Sequence, residues 1–193
     1  MIISQSIEEA KEILRKGGAV VYPTDTVLGL GVDATNESAL RNLYRIKNRP
    51  LDKPVPIIVA NLNQAKKIAL IKPQQEAMLN SLWPGAVTVV LRAKAGGTIA
   101  LRIPDHPVPQ ELAQEFPITG TSANISGEPP CIYIHEVQNQ FYGHEPQPDL
   151  ILDIYTATNK KEPSTIIDLT VDRPRILRVG ACRPADLMKI LRT

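Results

Sequence analysis

Proline punctuates this chain: seventeen of its 193 residues are proline, nearly twice the usual share of about 5%. They fall mainly between periodic segments. Because proline fixes its own φ and biases the residue before it away from helix, they mark rigid loops between short elements, where binding and catalytic residues are often placed. The densest case is Lys47-Asn48-Arg49-Pro50-Leu51-Asp52-Lys53-Pro54, with three cations in seven positions. A proline-stiffened segment has lost part of its conformational entropy before any ligand arrives, so this stretch reads as a grip for an anion. A solvated turn with idle charges is the bland alternative, and the company the stretch keeps decides against it.

Between the prolines, helix and strand signals alternate. Ser6-Ile7-Glu8-Glu9 has capping-box form, with Ile7, Ala10, Ile13 and Leu14 on one face and Gly17-Gly18 at the stop, which predicts a first helix. Residues 19–22 read as a buried strand. It runs into Pro23-Thr24-Asp25-Thr26 and then Gly29 and Gly31, where a backbone can approach a ligand closely. Thr35-Asn36 caps a second helix that turns Ala39, Leu40, Leu43 and Ile46 inward and delivers Lys47 and Arg49 at its C-terminal end. Strands are predicted over 55–60, 87–91, around Arg102, and over 149–154, 164–170 and 176–180. Helices are predicted from Asn61 onward, over 74–82, after Pro107 through Leu112, and over 134–141 and 183–191. Residues 156–163 read as a polar, moving loop.

Trp83, at a helix stop, reads as a core plug rather than a stacking surface. His106 reads as a helix cap or loop residue, and the spacing of His106, His135 and His144 suggests no metal ligands. Arg102 sits inside an apolar strand, where a charge either points to water or meets an anion. The rigid loop Pro104-Asp105-His106-Pro107 after it favours the anion.

Length suits one domain spanning 1–193, and a hydrophobic share of 43% supports a sizeable core. A net charge of +2 and a pI near 8.5 are too mild to argue nucleic-acid binding from charge. Cys131 and Cys182 form no CxxC pair, so neither a disulfide framework nor a zinc cluster is indicated, and a reduced cytoplasm is expected. No uncharged apolar stretch approaches the roughly 20 residues of a membrane span, so no membrane partner is expected.

From Thr119 to Gly127, five of nine residues carry a hydroxyl or amide and two are glycine. Such a loop can hold a small zwitterion or a phosphate oxygen. The chain has no GxxxxGK[ST] loop, GxGxxG, HExxH or nucleophile elbow. A site built from Lys47, Arg49, Lys53, Arg102 and Arg178 would be unusually cationic for a nearly neutral protein. Gathering like charges in one cleft is costly unless an anion neutralises them, and a triphosphate is the natural anion.

Six motifs in order then carry a resemblance: Tyr22-Pro23-Thr24-Asp25-Thr26-Val27-Leu28-Gly29-Leu30; Lys47-x-Arg49-Pro50-x-x-Lys53-Pro54; Trp83-Pro84-Gly85; Arg102-x-Pro104-Asp105-His106-Pro107; Ser122-Ala123-Asn124-x-Ser126-Gly127; and Ser164-Thr165-Ile166-Ile167-Asp168. Together, from residue 6 to about 180, the chain resembles the Sua5/YciO/YrdC family, in the short bacterial YrdC form without the additional C-terminal domain of the longer Sua5 form. The resemblance implies an α/β fold, a twisted open mixed sheet flanked by helices around a large concave cationic cleft. It also implies a nucleotidyltransfer: L-threonine, bicarbonate (or CO2) and ATP give L-threonylcarbamoyladenylate and pyrophosphate, for the threonylcarbamoyl modification of adenosine 37 in tRNA. Carried onto matching positions, Thr26, Arg102, Ser122 and Ser164 contact threonine, while Arg49, Lys53, Thr98, Asn124 and Arg178 contact ATP, with Lys47 near the phosphates. Mg2+ is expected to arrive with ATP, without a protein-built metal site. A downstream threonylcarbamoyl transferase complex and tRNA are the further partners implied.

Two positions depart from the family pattern. Leu28 stands where a tyrosine is usual and Ile58 where a polar residue is frequent. The competing reading is a non-catalytic module of the same fold that holds RNA on its cationic concavity. A weaker one is carbamoyl or acyl transfer to a different amine.

Overall fold

The computed structural model describes residues 1–154 and 162–191. The polar loop predicted over 156–163 therefore lies mostly outside the described residues. Among the described residues the strands form two mixed sheets rather than the one expected. The first runs β1 (Ile2–Ser4), β10 (Leu150–Leu152), β2 (Val20–Tyr22), β3 (Gly29–Gly31), β9 (Thr121–Ser122). The second runs β12 (Arg175–Arg178), β11 (Thr165–Asp168), β6 (Val87–Ala93), β7 (Thr98–Arg102), β4 (Ile57–Ile58), β8 (Ile118–Thr119), with β5 (Ala69–Leu70) beside β6.

The inner strands β10 and β2 are buried on both faces and are continuous apolar runs. Val21, Leu30 and Ile151 point to one side, where they pack with α2 (Glu37–Ile46) and α6 (Ile134–Phe141) through Leu43, Ile46, Val137 and Phe141. Val20, Tyr22, Leu150 and Leu152 point to the other side, against Ala10 and Leu14 of α1 (Ile7–Arg15) and Val108 and Leu112 of α5 (Pro107–Leu112). This side-to-side alternation is the period of two that a strand imposes.

The second sheet uses the same alternation differently. Val87, Val89, Leu91, Leu101 and Ile167 pack on Leu79 and Leu82 of α4 (Pro73–Leu82) and on Trp83, which donates from Nε1 to Val87 O at 2.8 Å. Trp83 is thus the core plug its position suggested. The intervening residues Val90, Ala100, Arg102 and Ile166 face the opposite way and line a cavity. Burying Leu101 in the core is therefore what turns Arg102 toward that cavity.

Several predicted helices keep their bounds, among them 134–141, and the caps are local. Ser6 accepts from Glu9 N, although Glu9's carboxylate is taken by the Ser4 hydroxyl rather than by Ser6 N, so only one arm of the capping box forms. Asn36 caps α2 by accepting from Ser38 N and Ala39 N. The strand predicted over 55–60 shrinks to Ile57–Ile58 because Pro54 and Pro56 flank it without N–H donors. The sequence reading placed a strand end just before the Ser122 loop, where β8 lies, and missed β1, β3, β5 and β9, short strands that their sheet neighbours impose.

Candidate functional site

A cavity of about 320 Å³ opens between the two sheets, within the range usual for small-molecule sites. Its wall brings together Thr26, Arg49, Arg102, Ser122, Ser164 and Arg178, residues separated by up to 152 positions, together with Leu28 and Ile58. Lys47, Lys53, Thr98 and Asn124 are not on that wall.

Each wall residue is placed by its local structure. Arg102 leaves the end of β7 with each guanidinium nitrogen making one bond, which leaves two of its five N–H donors over: Nε donates to Gly85 O at 3.0 Å, Nη1 to Thr26 Oγ1 at 3.1 Å and Nη2 to Asp25 Oδ1 at 2.5 Å. The residue is only 6% exposed. Of the two options the sequence left open, water or an anion, the structure shows an anion, and it is Asp25 of the same chain. Burial pulls its pKa down, and Asp25 opposes that pull. Thr26 is fixed in turn by Thr24, whose hydroxyl accepts from Thr26 N and donates to Val27 O.

Arg49 is delivered by the end of α2. Asn48 adopts φ 48°, its N–H bonds Arg45 O at 3.0 Å, and Arg49 N bonds Tyr44 O at 2.9 Å, the two reverse bonds of a Schellman stop. The guanidinium then closes its own loop, donating to Lys53 O and Pro54 O at 2.9 Å each. Lys53 is held by its carbonyl, which also accepts from Tyr44 Oη, while the residue itself is exposed. Thr98 is likewise exposed, at the start of β7.

On the facing wall Arg178 donates to Ser164 O through Nε at 3.2 Å and Nη2 at 2.7 Å. The Ser164 hydroxyl lies 2.8 Å from that of Thr88. Arg178 is exposed as a residue, but its guanidinium is part-buried; that partial burial lowers its pKa, and the positive charge of Arg102 lowers it further. An arginine whose charge is disfavoured by a second arginine across a cavity marks a place for an anion.

Lys47 lies behind the wall. It is 1% exposed, and Nζ donates to Ser122 O at 2.6 Å and Asn124 O at 2.7 Å. Burial pushes its amine down to about 7, with the charge of Arg49 adding to the effect. Asn124 bonds mainly within its own loop: Nδ2 donates to Ile125 O and Glu128 O, and Oδ1 accepts from Ser122 Oγ and, at 3.5 Å, from Lys47 Nζ.

The close backbone approach expected at Gly29 and Gly31 is made by Tyr22. Its ring lies flat on β3, so that a Cβ at Gly29 or Gly31 would stand 2.6 or 2.7 Å from ring atoms, and its hydroxyl donates to Thr119 O at 2.8 Å. Total burial raises its phenol pKa. Sequence reasoning saw the glycines and missed this partner, although Tyr22 and Gly29 are cross-strand neighbours. His106 caps α5, its Nδ1 accepting from Val108 N at 3.2 Å, as its position before Pro107 suggested.

The model of the Sua5_yciO_yrdC family, described as telomere recombination, matches residues 12–180. The chain belongs to the Sua5/YciO/YrdC family. It is 37% identical to the threonylcarbamoyl-AMP synthase of Photobacterium profundum, an alignment covering 91% of this chain and 99% of the relative. It is 35% identical to the Pyrococcus abyssi threonylcarbamoyl-AMP synthase, covering 98% of this chain but only 59% of the relative. Among solved structures, Pyrococcus abyssi Sua5 complexed with L-threonine superposes with a TM-score of 0.88 at 32% identity, again over 98% of this chain and 59% of the other. The α/β fold with mixed sheets is therefore the fold of this family.

Proposed function

We propose that this chain is an L-threonylcarbamoyladenylate synthase, a nucleotidyltransferase that joins L-threonine, bicarbonate and ATP and releases pyrophosphate. The observation that carries the reading is one cavity in which Arg49, Arg102 and Arg178 meet the hydroxyls of Thr26, Ser122 and Ser164. The names of the relatives, including one that the chain matches over 99% of its length, support it. In this reading the threonine amine takes up carbon dioxide from bicarbonate as a carbamate. A carbamate oxygen then attacks the α-phosphorus and the pyrophosphate leaves. The chemistry needs no protein nucleophile, only in-line positioning and neutralisation of charge.

Arg102, held by Asp25, Gly85 and Thr26, would receive the threonine carboxylate, with Thr26, Ser122 and Ser164 around the rest of the amino acid. Arg49 and Arg178 would flank the phosphates and stabilise the charge of the departing pyrophosphate. Among the described residues no group of three or more His, Cys, Asp or Glu is placed to hold a metal. Mg2+ would arrive with ATP and supply further charge neutralisation. The adenylate would pass to a threonylcarbamoyl transferase complex acting on tRNA in the cytoplasm. Among the described residues, no helix is long and apolar enough to cross a membrane.

The test is pyrophosphate release by the pure protein with ATP and Mg2+. Release that requires both L-threonine and bicarbonate supports the assignment. Its absence, with RNA affinity that falls steeply with salt, would favour the RNA-holding module instead.

A further inference from the structure

We propose that Lys47 and Asn124 are positioning residues that fix the Ser122 hydroxyl as a hydrogen-bond acceptor on the cavity wall. The argument starts from the hydrogen inventory of one amide. Both N–H bonds of Asn124 Nδ2 are used, one on Ile125 O at 2.8 Å and one on Glu128 O at 2.7 Å. Its Oδ1 can only accept, so the contact with Ser122 Oγ at 2.5 Å must be filled by the serine proton. Reversing the amide would set an oxygen against two carbonyls. Ser122 therefore turns lone pairs alone toward the cavity.

Lys47 holds this arrangement from behind. Its Nζ donates to the carbonyls of Ser122 and Asn124, and its own carbonyl accepts from Ser126 N at 2.7 Å. One residue at the end of α2 thus clamps three positions of the Ser122–Ser126 loop, next to the turn that delivers Arg49. Thr26 has the same polarity for a parallel reason. Thr24 Oγ1 gives its proton to Val27 O at 2.7 Å, so the 3.0 Å contact between the two hydroxyls takes the proton of Thr26, and Arg102 Nη1 donates onto Thr26 as well. Two wall hydroxyls that only accept demand a ligand that brings donors. An amino acid carrying both an amine and a hydroxyl meets that demand, so the inference rests on the threonine reading above and assigns Lys47 and Asn124 a role other than phosphate or nucleotide contact.

The test is calorimetric titration of L-threonine and, separately, of ATP into folded wild-type protein and variants, which needs no turnover. Synthesis can thus fail while this claim stands, and the reverse. Lys47→Met is expected to weaken L-threonine about tenfold, or 1.4 kcal/mol, and to leave ATP within about threefold. Ser122→Ala should weaken L-threonine less in the Lys47→Met background than in wild type, because the two act through one hydroxyl. Asn124→Ala, which frees the serine proton while keeping Lys47, is the second variant should Lys47→Met fail to fold, and the same split is expected of it. Lys47→Gln, which retains two N–H donors, should recover part of the affinity. Weakened ATP with unchanged L-threonine, equal loss for both ligands, or fully additive Lys47 and Ser122 effects would each overturn the proposal.

Discussion

Arg102 and Asp25 form an ion pair 77 positions apart in sequence, with side chains 8% and 11% exposed, and Asp25 Oδ2 is buried with no hydrogen-bond partner. A pair this dry depends on both members, because removing one leaves a buried charge uncompensated, typically at 3 to 5 kcal/mol. Asp25→Ala is therefore expected to destabilise the protein by about 3 kcal/mol in urea unfolding. It should also weaken L-threonine, since Arg102 loses the contact that aims it. A loss of stability below about 1 kcal/mol would mean that Gly85 O and Thr26 hold Arg102 without the carboxylate.

Asn48 is the only non-glycine residue among those described with positive φ. It tolerates the left-handed region because its short polar side chain suits it. Asn48→Gly should be neutral or slightly stabilising, whereas Asn48→Val should cost about 1 to 2 kcal/mol. Because the turn delivers Arg49, the valine variant should also lose ATP affinity. Equal melting temperatures for the two variants would remove the turn from the account of Arg49.

Gly31→Ala tests the packing of Tyr22 on β3. The new methyl would stand 2.7 Å from a ring carbon and 3.0 Å from Thr119 O, and the ring is fully buried, so it cannot swing aside. Overpacking of this kind costs about 1 to 3 kcal/mol. Thermal unfolding of the variant measures it, and an unchanged melting temperature would show that β3 shifts freely.

How legible this was in the sequence follows from the range of the forces involved. Ser6, Asn36 and His106 cap helices through bonds to residues two or three positions away, so their roles could be read locally. Arg102 could be picked out as an anomalous charge in a strand, but its partner could not, because Asp25 is brought to it only by the meeting of two sheets. The same distance hid the Lys47 contacts: a cation in a basic run looks like a phosphate ligand, and only the fold reveals that Nζ reaches carbonyls 75 and 77 positions away. That the strand ending near Thr119 continues as β9 in the other sheet escaped for the same reason. The chain turns from one sheet to the other across Gly120, and nothing in five residues of sequence marks that transfer.

The buried Lys47 amine should couple stability to pH. Its Nζ donates to Ser122 O at 2.6 Å and Asn124 O at 2.7 Å, with a longer contact to Asn124 Oδ1 at 3.5 Å, and burial lowers its pKa to about 7. The charged group that acts on it is Arg49, with the Cys131 thiol, raised by burial to about 11, nearby. Between about pH 7 and pH 10 the unfolded chain binds a proton here that the folded chain does not, so this residue makes stability rise with pH, by at most about 1.4 kcal/mol per unit. Below pH 7 both states are protonated and the rise is absent. Urea unfolding at pH 6, 7.5 and 9 should show the increase in wild type and a flatter profile in Lys47→Met. Identical profiles would mean that the carbonyls hold the ammonium form.

The cavity arginines make the sharpest demand on a ligand. Arg178 carries a charge disfavoured both by burial and by Arg102, so an anion placed between them relieves a cost that already exists in the free protein. Arg49 is pinned to Lys53 O and Pro54 O and needs little ordering to bind. Arg49→Ala and Arg178→Ala should therefore each weaken ATP by about 1.5 to 3 kcal/mol, as lost charge-assisted bonds do. Lys53→Ala should cost less than about 1 kcal/mol, because it does not line the cavity wall. Titration of ATP into the three variants ranks them. If Lys53→Ala were the most damaging of the three, the triphosphate would lie outside this cavity, along the Pro50–Pro54 turn, and the arginines facing inward would need another anion.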